Sequence, residues 1–74
     1  MMDERQLMKD SMVTKLAILL IDDGKASSMT ESLDIVINSE TYQRLIDDKA
    51  ALYYHSPRYV YEFLKNELLT GKAE

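Results

Sequence analysis

Apolar positions in this chain recur every three or four residues, the spacing that lines one face of a helix. Met8, Met12, Leu16, Leu19 and Leu20 form the first such stripe. Asp3 and Gln6 stand in the relation of a capping box, and Gly24 supplies a stop, so a first helix is expected near 4–23. Its second half, Leu16-Ala17-Ile18-Leu19-Leu20-Ile21, is apolar on every side. A surface helix of so small a chain has no reason for that pattern; a helix buried between neighbours, or shared with a second chain, does. A short buried strand competes for these six residues, and helix is preferred because the preceding turns already propagate it.

Ser28 and Glu31 repeat the capping-box pattern and open a short helix through Leu33, Val36 and Ile37, near 29–37. The β-branched run Ile35-Val36-Ile37 leaves strand open there, because such side chains lose rotamer freedom in helices. Asn38-Ser39 breaks the run. Ser39 can cap a third helix, near 40–54, with Tyr42, Leu45 and Ile46 facing inward and a continuation through Ala50, Ala51 and Leu52 towards His55. Ser56 followed by Pro57 starts the last helix, near 57–70: serine caps the free amides, and proline loses nothing at the first helical position. Val60, Phe63, Leu64 and Leu68 form its apolar face, and Gly71 can close it in the left-handed conformation. The expected fold is an all-α bundle of about four helices, two long and two short, in a single domain over 1–74.

Length and composition narrow this further. Seventy-four residues lie near the lower limit for folding alone, and the absence of cysteine removes disulfides and thiolate metal sites. With 46% hydrophobic and 30% charged residues the chain is globular rather than disordered. Two glycines and one proline are too few turn residues for an all-β fold. A net charge of −4 lacks the electrostatic footprint of a phosphate-backbone binder. The acidic opening Met1-Met2-Asp3-Glu4 is unlike a signal peptide, and Leu16 to Ile21 is too short to span a bilayer, so the expected setting is the cytoplasm, with no membrane.

Candidate chemistry is sparse. His55 beside Ser56 has the residue types of a base and a nucleophile, but catalysis also needs an orienting partner, and Ser56 already has a capping role. Asp22-Asp23 and Asp47-Asp48 could hold a divalent cation only if their helix ends met; EF-hand spacing is absent, and solvated helix ends are the simpler reading. The sequences Leu20-Ile21-Asp22-Asp23 and Leu45-Ile46-Asp47-Asp48 echo each other, but their flanking residues do not correspond and chance explains four matches better than duplication does. A helix-turn-helix is conceivable across the second and third helices, with Gln43 and Arg44 as base readers, although the acidic balance opposes it. Four of the five tyrosines lie between Tyr53 and Tyr61, where stacking on bases would want interleaved cations; only Arg58 and Lys65 lie near, offset by Glu62 and Glu67. Tyrosine does suit contacts between chains.

From Met29 to Leu69 the chain resembles a small bacterial helical family, a domain of unknown function. The resemblance rests on the patterned short helix (Leu33, Val36, Ile37), the aromatic turn Tyr53-Tyr54-His55 and the terminal helix. The family's turn more often reads leucine-histidine followed by threonines and a glycine, whereas this chain has tyrosine-histidine-serine-proline. The resemblance implies an accessory or antitoxin-like role beside a larger partner, and it carries no catalytic residues.

The expected function is therefore contact: a non-enzymatic interaction module that forms a homo-oligomer or serves a larger protein. The expected interface residues are Leu16, Ile18, Leu19, Ile21, Tyr54, Tyr59, Tyr61 and Phe63. No catalytic residue, metal, cofactor or small-molecule substrate is expected. A DNA-binding regulator is the first alternative, and an enzyme or metal binder using His55 or the aspartate pairs the second.

Overall fold

The computed structural model describes residues 4–71. Among these the chain forms four α-helices and no strand: α1 Glu4–Asp22, α2 Met29–Ile37, α3 Glu40–Ile46 and α4 Pro57–Thr70, with one 3-10 turn at Leu52–Tyr54. The all-α bundle expected from the apolar spacing is present. Asp3, half of the first capping box, lies outside the described residues; Gln6 donates from its amide to Asp10 instead (3.0 Å).

Serine sets the start of each later helix. Ser28, Ser39 and Ser56 are extended, and their hydroxyl oxygens accept from the N–H groups of Glu31, Tyr42 and Tyr59 respectively. Pro57 occupies the first turn of α4, and Gly71 closes its far end at φ 82°. In α2 helix prevails over strand despite the β-branched run, because packing overrides a weak intrinsic preference. Val36 is fully buried, and the Ser32 hydroxyl donates to the Ala17 carbonyl of α1 at 2.6 Å.

The third helix is shorter than its apolar pattern suggests. It ends at Ile46 instead of running on to residue 54. The Asp47 carboxylate accepts the N–H of Lys49 (2.9 Å), a local turn that competes with helix, and Ala51 takes a left-handed φ of 51°. The chain thereby turns back, and the 3-10 turn buries Leu52 and Tyr53 against the bundle.

Leu16, Leu20, Val36, Leu45, Val60 and Leu64 have no exposed surface and make the centre of the core, with Met12 and Tyr61 beside them. The apolar segment of α1 is thus largely enclosed by the chain itself: Leu16, Ala17 and Leu20 are buried, Leu19 and Ile21 half-buried. Ile18 alone stays open, at 43% exposure.

Candidate functional site

The expected interface residues divide by burial. Leu16 and Tyr61 belong to the core and offer nothing to a partner: Leu16 packs at the bundle centre, and Tyr61 is held inward. The Tyr61 hydroxyl donates to Asp23 at 2.6 Å, tying α4 to the end of α1. Burial, helped by that carboxylate, pushes the Tyr61 phenol well above the ordinary tyrosine range. Ile18, Tyr54 and Tyr59 are exposed, the two tyrosines at 65% and 49%. Leu19, Ile21 and Phe63 lie between these extremes.

Three aromatic rings stack from His55, just before α4, to Tyr59 and half-buried Phe63 on it. The rings of His55 and Tyr59 are 4.5 Å apart, and Tyr59 meets Phe63 edge-on at 5.2 Å. The spacing of four residues places Tyr59 and Phe63 on neighbouring turns of α4, and extended His55 meets Tyr59 from outside the helix. The His55 ring therefore lies against Tyr59, and no hydrogen bond joins it to Ser56, whose oxygen accepts the Tyr59 N–H.

Beside these rings runs a groove between α1 and the start of α4. One part, of about 320 Å³, is walled by Ile18, Leu19 and Pro57 and edged by Lys15 and Arg58. A second part, of about 290 Å³, continues past Leu7, Met8, Met12 and His55, with Glu4 at its margin. Lys15 and Pro57 border both parts, so the two hollows adjoin. Neither Lys15 nor Arg58 makes an ion pair among the described residues. Apolar walls with two uncommitted cations at the rim can take an apolar helix face that carries carboxylates.

The aspartate pairs do not combine. Among the described residues no three histidine, aspartate or glutamate side chains gather so as to hold a metal ion. The second aspartate of each pair instead accepts a tyrosine hydroxyl, Asp23 from Tyr61 and Asp48 from Tyr53 (3.2 Å). The sequence echo thus has a structural counterpart: Leu20 and Leu45 are both fully buried near a helix end, and each second aspartate anchors a ring. Asp48 also pairs with Lys9 (3.0 Å) and, more loosely, Arg5 (3.7 Å). The Lys9 hydrogen bond holds the Asp48 carboxyl below the usual carboxylate range, while burial and the adjacent Asp48 raise the Tyr53 phenol.

Gln43 and Arg44 are exposed on α3. The first amides of that helix, however, face a carboxylate. Glu67 of α4 accepts the N–H groups of Glu40 and Thr41 at 2.8 and 3.0 Å, and the Thr41 hydroxyl at 2.9 Å. Sequence gives Glu67 only as a charge offsetting the cations of α4; its capping role lies 26 residues from Thr41 along the chain and has no local signal. Comparison with family models, curated proteins and solved structures found no match. Among the described residues no helix is long and apolar enough to cross a membrane.

Proposed function

We propose that this chain is a non-enzymatic protein–protein interaction module, working as a homo-oligomer or as the small accessory partner of a larger protein. The observation that supports this reading is the apolar groove of Ile18, Leu19 and Pro57 between α1 and α4, with a second hollow adjoining it. Ile18 stands open in it, and Lys15 and Arg58 at its rim have no ion-pair partner among the described residues. Exposed Tyr54 and Tyr59 enlarge the apolar area around His55, and tyrosine gives large contact area at low entropy cost. The accessory, antitoxin-like form of the role is proposed on the resemblance of residues 29–69 alone. A cysteine-free chain suits a reducing cytoplasm.

The DNA-binding reading draws less support. A recognition helix enters the major groove with its N-terminal residues towards the bases, and in α3 that end already carries the Glu67 carboxylate. The net charge of −4 opposes the same approach.

The test is a pull-down with the purified chain as bait, run beside its Ile18→Glu variant and paired with mass in solution. Self-association, or a partner that the wild type captures and Ile18→Glu does not, supports the contact role. A single-chain mass together with capture indifferent to Ile18→Glu overturns it.

A further inference from the structure

A second surface of the chain has the character that the groove would accept. On α2, exposed Thr30, Asp34 and Ile37 share one face with Leu33, which is half-buried against the core, and with Glu31 at the flank they line an open concavity. Ile37 is 49% exposed, an isoleucine facing solvent at the end of a nine-residue helix. The two carboxylates are held by neutral donors: Ser27 donates to Glu31 at 3.1 Å and Asn38 to Asp34 at 3.1 Å. Neither makes an ion pair among the described residues. One face therefore offers apolar side chains with two unneutralised carboxylates, and the groove offers apolar walls with two unneutralised cations.

The two surfaces lie on different parts of the molecule and share no lining residue. α2 is fastened to α1 at Ala17, through the Ser32 hydroxyl, whereas the groove opens on α1 at Lys15 and Ile18. Around the α1 axis Lys15 stands roughly 160° and Ile18 roughly 100° from the buried Ala17, so the groove rim is turned away from the Ala17 side of the helix. The outward face of α2 then looks away from its own groove.

We infer that a second copy of this chain fills the groove, its α2 face of Leu33 and Ile37 packing on Ile18, Leu19 and Pro57 while Asp34 and Glu31 meet Lys15 and Arg58. This inference rests on the contact role proposed for the chain and names the occupant. The contact is head to tail, using different surfaces on the two copies, so assembly continues until a ring closes or a chain of copies grows. Its charge pairs are at the rim and weaken with added salt.

The experiment uses the full chain, with Ile18→Glu blocking the groove and Ile37→Glu blocking the α2 face. Both positions are exposed, and circular dichroism and melting check that each variant folds. Light scattering of the wild type is expected to show a mass that rises with concentration. Ile18→Glu alone is expected to associate roughly 100-fold more weakly, because its carboxylate faces apolar side chains and like charges. Ile37→Glu is weakened less: its carboxylate loses the apolar contact but lies near Lys15 and Arg58. Mixed one to one, the variants regain a single intact contact, the α2 face of one with the groove of the other, and give a two-chain mass that grows no further. A wild-type oligomer that either variant leaves unchanged, or variants that fail to recombine, overturns the head-to-tail contact and leaves the general contact role standing. A single-chain wild type also overturns it, and the pull-down then decides the contact role by itself.

Discussion

Glu67 holds Thr41 twice: one carboxylate oxygen accepts both its backbone N–H and its hydroxyl, at 3.0 and 2.9 Å. Thr41 is fully buried, so its hydroxyl has no water to fall back on. The other carboxylate oxygen takes the N–H of Glu40, and the pair of bonds fastens the start of α3 to α4. Replacing Glu67 by Ala removes these acceptors and is expected to cost about 2 kcal/mol. Glu67→Gln keeps one carbonyl oxygen and should cost less. Urea unfolding with an unchanged slope checks both values; a Glu67→Ala midpoint equal to the wild type would show that the cap contributes nothing.

Two of the α1 residues expected at an interface now make contrary predictions. Leu16 has no exposed surface and Ile18 is open, although they are two positions apart in one apolar run. Leu16→Ala leaves a cavity and should lose about 2–5 kcal/mol. Ile18→Ala should fall within about 0.5 kcal/mol of the wild type when measured below any association concentration. Thermal melts of the two variants at low concentration decide the matter, and equal losses would contradict the placement of the core.

Tyr61 links stability to alkaline pH. Its folded pKa is raised, first by burial and then by Asp23, so the folded state favours the neutral phenol. That stability is fully present below the unfolded value of about 10 and is lost as pH rises through the folded one. Tyr61→Phe gives up the bond to Asp23, about 1 kcal/mol at neutral pH, and should flatten the alkaline loss. Tyr53 is shifted the same way, so some alkaline loss remains in the variant. Melting temperatures taken upward from neutral pH in both proteins supply the check, and parallel curves would count against the Tyr61 contribution.

Asp48 acts at the other end of the scale. Its carboxyl is lowered chiefly by the Lys9 hydrogen bond, so the stability it contributes is present above the ordinary aspartate value of about 3.9 and is lost as pH falls through the folded value. Asp48→Asn should make the acid limb of the melting curve shallower. Because Asp48 is exposed, salt should narrow the difference between the two proteins. An unchanged acid limb at low salt would show that the Lys9 pair carries no stability.

Local signals in the sequence were sufficient for the helices and insufficient for what fastens them. Serine caps at Ser28, Ser39 and Ser56, the proline at 57 and the glycine at 71 act within a few residues, so their effects are legible. The end of α3 was not, because Leu45 and Leu52 keep helical spacing across a turn that Asp47 and left-handed Ala51 impose. Nothing near Ser32, Thr41 or Glu67 marks them as polar anchors, since each bonds to a residue distant in sequence. Of the expected interface residues, Ile18, Tyr54 and Tyr59 remain at the surface while Leu16 and Tyr61 are in the core. An all-round apolar helix declares that it is surrounded, and it does not say by which chain. Lys15, Pro57 and Arg58, which complete the groove, come together only once α4 is placed on α1.

If another copy covers the groove between α1 and α4, the mass of the wild-type chain depends on its concentration. Light scattering should give more than one chain per particle, rising with concentration and falling back to one in Ile18→Glu. A wild-type chain that stays single at every concentration contradicts this contact between copies.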